Sequence, residues 1–382
     1  MRKTDIFEQM ARLFRRPLLP TDAALGTFIL ASSSLAALMM GTEPAFACSV
    51  DQSSSAASVS NSSSIDCMVI GSGVSISGNI SNTTGGSINV PGGLTPPSAT
   101  GIVINSSSST VAGSVINQGS ITAANGNGIF VTGALVSGGI DNSGTISAGN
   151  YGININLVPN FAGGISNSGT ISSGITGIAV GYMTSFTGGI SNSGTITGTN
   201  AYGIAAFNMT SFSGGISNSG LIENFHSGGL LADGATSFSG GISNSGTISG
   251  SGAGNGIYTE DITNFSGGID NSGDISVGGS GIAVNGVGIF LGGISNSGTI
   301  SSGSTGSITV YDVSQFAGGI SNSGTIAATQ NGIAVYEVSQ FAGGISNSGT
   351  ITAAQYGIYV GAVSNFSGNI NNSGTISAAN GI

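Results

Sequence analysis

The chain offers few side chains that do chemistry, and their positions narrow the possibilities quickly. All five basic residues, Arg2, Lys3, Arg12, Arg15 and Arg16, fall within the first 16 positions, so the rest of the chain has no cationic side chain of fixed charge. Nucleic-acid binding draws its affinity from Lys and Arg neutralising phosphates, and docking on an anionic membrane surface uses the same charges. Neither is expected here. The single histidine, His226, has Glu223 three residues before it but no second histidine or cysteine nearby, so a loop position is expected rather than a metal ligand or general base. Glu260 with Asp261 and Asp270 with Asp274 are the best carboxylate pairs for calcium, which takes six to eight oxygen ligands. They do not match the Gly-Gly-x-Gly-x-Asp pattern of calcium-binding β-rolls, and solvated turn acids are the default reading. No metal, cofactor or catalytic residue is assigned.

Two cysteines remain, and their chemistry depends on compartment. The N-terminus has a basic region up to Arg16, an apolar stretch from Ala23 to Met40 broken by Ser32, Ser33 and Ser34, and then Ala45-Phe46-Ala47. This is the layout of an extended secretory signal over residues 1–47, cut after Ala47; the serines and the small-residue cleavage site argue against a membrane anchor. Ala45-Phe46-Ala47 is a poor lipobox for lipid modification of Cys48. In an oxidising exported context Cys48 and Cys67 are expected to form one disulfide stapling the N-terminal end. Zinc or a thiol nucleophile is disfavoured, because neither cysteine has a histidine or a second cysteine pair beside it.

What positions everything else is a repeat. The string Phe161-Ala162-Gly163-Gly164-Ile165-Ser166-Asn167-Ser168-Gly169-Thr170-Ile171 recurs down the chain. Its asparagines, Asn117, Asn142, Asn167, Asn192, Asn218, Asn244, Asn271, Asn296, Asn322, Asn347 and Asn372, follow at intervals of 25 to 27 residues, and Asn82 marks a degenerate earlier copy. Four positions after each asparagine stands isoleucine, from Ile121 to Ile376, and two positions before it Ile or Val. Six before it, nine copies place Phe161, Phe186, Phe212, Phe238, Phe265, Phe290, Phe316, Phe341 and Phe366. A Gly-Ile pair such as Gly177-Ile178 is the third apolar point. Nearly all length variation falls between the isoleucine after the asparagine and this pair, so one corner absorbs insertions, as a stacked solenoid requires.

The 69 glycines rule out helical solenoids. Three short apolar segments per copy, separated by Asn-Ser-Gly or Gly-Gly, predict an all-β parallel β-helix of about 11–12 coils with three short strands per coil. Identical residues then lie one above another at a spacing of about 4.7–4.9 Å. The phenylalanines and isoleucines become internal ladders, the asparagines bond from coil to coil, and the Gly169-type glycine permits the turn. A single coil buries too little apolar surface to fold alone, so stability belongs to the stack. Residues 48–100, with Pro91, Pro96 and Pro97, are expected to cap the N-terminal end. Residues 101–382 carry the repeats and stop in mid-repeat.

The repeated GGISNSGTI string, the long leader and the acidic Gly/Ser/Asn-rich body resemble the β-helical passengers of bacterial autotransporters, over most of the chain after about residue 80. The resemblance implies export, threading through the outer membrane by a C-terminal β-barrel, and a surface or secreted role such as adhesion to a protein or glycan. No barrel pattern is present in this sequence, so membrane association is expected only through a barrel outside it, and the chain reads as a fragment or truncated product. Two alternatives stand beside this. One is an inert stalk for another domain, separated from an adhesin by whether a contact stripe such as Tyr151, Tyr202, Tyr258 and Tyr356 binds anything. The other is a polysaccharide-degrading enzyme of the pectate-lyase type, whose resemblance implies a catalytic base that no Lys or Arg here can supply.

Overall fold

The computed structural model describes residues 48–91, 99–250, 252–303 and 306–382. The expected signal segment and Pro96 and Pro97 lie outside the described residues. The chain from Cys48 winds as a parallel β-solenoid of about 12 turns, and no helix occurs among the described residues.

One turn shows how the sequence makes three walls. Ile178–Phe186 forms the first wall, Ile190–Asn192 the second and Thr195–Gly198 the third. Each segment pairs in parallel with its counterpart one repeat later, Ile178 against Ile204, Asn192 against Asn218 and Ile196 against Ile222. The second and third walls are continuous sheets of 13 strands each. Alternation along each strand sends the repeat isoleucines inward, where they are fully buried in one core cluster, and the intervening Ser and Thr outward.

The corners explain the glycines. In the Gly-Gly corner the second residue has positive φ, +72° at Gly164, and a Cβ there would stand 2.6 Å from the Gly188 carbonyl oxygen. The glycine after Asn-Ser plays a different part from the turn-forming one expected. Gly169 has no positive φ, but a Cβ on it would come within 2.0 Å of the Gly144 oxygen one layer below. Close approach of successive layers, not turn geometry, excludes a side chain there.

Two features exceed the expectation. Residues 48–91 do not form a separate structure: Val50–Gln52 pairs with Met68–Ile70, and Val59–Asn61 with Ile80–Asn82, so this segment supplies the first layers of the same walls. The first wall also bends in mid-course. From the layer of Ile129 to that of Ile358, the backbone turns left-handed four residues after the repeat isoleucine (Leu230 in one layer), at Gly133, Leu157, Tyr182, Asn208, Gly234, Asp261, Gly286, Asp312, Glu337 and Ala362, all with φ between +50° and +68°. In some layers the strand runs through this bend, as in Tyr202–Phe212. In others it splits, as in Ile153–Asn156 and Asn160–Phe161.

Candidate functional site

The interior is occupied by ladders. Asn61, Asn82, Asn117, Asn142, Asn167, Asn192, Asn218, Asn244, Asn271, Asn296, Asn322, Asn347 and Asn372 form a single file in which each Nδ2 donates to the Oδ1 of the next, at 2.6–2.9 Å. Asn61, which sequence spacing missed because it lies 21 residues from Asn82 and that residue 35 from Asn117, starts the file. Its Oδ1 accepts instead from the Ser63 backbone N–H. The signal was present, since Ile65 follows Asn61 by the usual four residues. The phenylalanines from Phe161 to Phe366 stack with centroids 4.5–5.3 Å apart and planes within 10°. That spacing is the layer repeat, so the rings slide into the offset arrangement that aromatic quadrupoles favour. Cys48 and Cys67 are joined, with Cα atoms 4.9 Å apart, at the first layer.

The residues weighed for catalysis are dispersed. His226 is exposed at the variable corner, its backbone N–H donating to Asn200. Beside it Phe225 turns inward and is buried. Asp270 sits on the outer second wall between Ser243 and Ser295, whereas Asp274 sits on the outer third wall between Thr247 and Thr299, so the two face different surfaces. Among the described residues no three His, Cys, Asp or Glu side chains gather as a metal ion would need.

Chemistry concentrates instead on the outside of the first wall. Alternation points the residue after each Gly-Ile isoleucine outward, yet Val103, Asn154, Ala179, Ala205, Leu231, Ala283, Thr309 and Ala334 in that column are all buried. The apolar ones stand apart from the core cluster. They are the floor of a groove running along the stack. One rim is the column two residues before the isoleucine, the other the column three residues after it, next to the left-handed bend. Floor and rim meet directly where Tyr356 and Tyr359 pack with centroids 5.3 Å apart, and Tyr202 leans on the next rim position, where a Cβ on Gly228 would lie 3.2 Å from its ring.

All eight tyrosines of the chain stand here. Tyr151, Tyr202 and Tyr356 occupy the first rim, Tyr258 and Tyr359 the floor, Tyr311 and Tyr336 the second rim, and Tyr182 the bend. Tyr258 lies within the strand Asn255–Glu260. Phe130 and Phe207 join them, Phe207 making an edge contact with Tyr182 at 5.4 Å. Tyr311 and Tyr336 are neighbours in adjacent layers, with centroids 4.7 Å apart.

Polar groups fill the gaps between rings. In the middle of the groove Asn285 Nδ2 donates to both the Tyr258 hydroxyl and the Glu260 carboxylate, each at 3.2 Å. Burial, then the nearby Glu260 and Asp261, push the Asp233 carboxyl up to about 6. Burial and Tyr182 raise the Tyr151 hydroxyl, and burial followed by Glu260 raises that of Tyr258. Buried side-chain atoms with no hydrogen-bond partner include Asn156 Oδ1 on the second rim and Thr100 Oγ1 and Asn331 Oδ1 on the first. No family model, curated protein or solved structure matches the chain.

Proposed function

We propose that the chain is a non-catalytic, exported passenger of autotransporter type whose solenoid presents the first-wall groove as a contact face for adhesion or another surface interaction. One observation carries this: every tyrosine is on one outer face, while the outer second and third walls bear mainly Ser and Thr. Tyrosine gives large contact area, a polar tip and little rotamer entropy to lose, and is enriched where proteins bind. An inert stalk gains nothing from sorting its aromatics to one side. The ladders need the same side chain in every layer; the groove varies from layer to layer, as a surface fitted to a ligand does.

The test is replacement of Tyr151, Tyr182, Tyr202, Tyr258 and Tyr311 by serine in cells displaying the chain. The far-UV circular dichroism should be unchanged, because none of these residues belongs to the core, and adherence should fall to background. Unchanged adherence would favour the stalk. Polysaccharide turnover dependent on Asp270 or Asp274 would instead indicate an enzyme.

A further inference from the structure

Resting on that contact face, we infer that the groove binds a neutral glycan chain laid along the solenoid axis. The first support is charge. No charged residue occurs between Asp141 and Glu223, so the groove around Tyr151, Asn154, Asn156, Tyr182 and Phe207 is bounded by uncharged side chains. Further along, Asp233, Glu260, Asp261, Asp312 and Glu337 border it, and no cation balances them. An anionic polysaccharide is repelled there. A cationic peptide gains nothing in the uncharged half.

The second support is shape and hydrogen-bonding capacity. Small floor residues, Ala179 and Ala205, lie in the layers of Tyr182, Tyr202 and Phe207, half-buried rings whose exposed parts can take the face of a flat ring. Pyranose rings carry apolar C–H faces and a rim of hydroxyl donors. The groove answers with aromatic faces, and on its second rim Asn156 Oδ1 is buried without a partner in the protein. An unmatched buried acceptor is destabilising, and a hydroxyl donor that reaches it removes that cost. Layers repeat at about 4.7–4.9 Å, so an extended chain laid along the axis meets the side chains of one layer after another.

Titration calorimetry of the disulfide-bonded protein against cellohexaose, mannohexaose, polygalacturonate and poly-lysine tests this. At least one neutral hexasaccharide should bind with little dependence on salt, polygalacturonate should not bind, and Phe207→Ala or Tyr182→Ala should weaken binding about tenfold or more, as loss of an aromatic anchor does. Far-UV circular dichroism confirms that each variant is folded. No binding of either neutral oligomer, or salt-sensitive binding of poly-lysine weakened by the same substitutions, overturns the inference. If serine replacement of the tyrosines abolishes adherence while neither neutral oligomer competes for it, the contact face stands and the glycan does not.

Discussion

The asparagine file illustrates how one residue type can be both buried and stabilising. An amide offers a donor and an acceptor, and stacking lets each side chain use one toward the layer above and the other toward the layer below, with the remaining N–H reaching a nearby carbonyl such as Asn244 to Gly246 at 3.2 Å. Asn244→Ala leaves the Asn218 donor and the Asn271 acceptor without their partner, and should cost roughly 2–4 kcal/mol in denaturant unfolding; a loss below the error of that measurement would mean the file does not hold the layers. A second residue-scale expectation concerns Asp233. Its carboxyl holds a proton more tightly in the folded state than in the unfolded chain, about 6 against 3.8. The associated stability is therefore complete below about pH 4 and lost as pH rises through 6. Asp233→Asn should melt above the parent at pH 8, and the advantage should vanish by pH 4. An advantage equal at both pH values would refute the assignment.

At the scale of the wall, legibility divides by whether a position must be the same in every layer. The isoleucine, phenylalanine and asparagine columns were readable because stacking like on like forces near-identity, and the parallel β-helix follows from their spacing. The bend in the first wall was not readable. It demands a left-handed backbone rather than a side-chain type, and Leu157, Tyr182, Asn208, Asp312, Glu337 and Ala362 meet that demand as well as Gly133 and Gly286 do. The groove was hidden for the same reason: four of its tyrosines suggested a stripe, but the bend that gathers all eight onto one face leaves no compositional mark. The role of Gly169 was misjudged, because a layer passing within contact distance looks in sequence like a turn. Left-handed backbone costs a side chain about 1–2 kcal/mol, partly offset by the entropy glycine loses. Leu157 is 47% exposed and packs little. Leu157→Gly should thus raise stability by up to about 1 kcal/mol, read as a higher melting temperature; a clear fall would show that the bend needs its side chain.

For the whole molecule, cohesion is one-dimensional. Almost every strand's partners are the equivalents one repeat before and after, so distance along the axis counts layers rather than residues. The account predicts that positions far apart in sequence are close when few layers separate them. Ser191 and Ser321, exposed on the second wall, are linked by five steps of register through Ser217, Ser243, Asp270 and Ser295. Spin labels placed at Ser191→Cys and Ser321→Cys, with the native disulfide kept oxidised, should give a narrow distance near ~24 Å, and the pair Ser191→Cys with Ser295→Cys should be shorter by one layer, about 4.8 Å. A broad distribution, or a distance that grows with residue count instead of layer count, would contradict the in-register stack on which the ladders and the groove both depend.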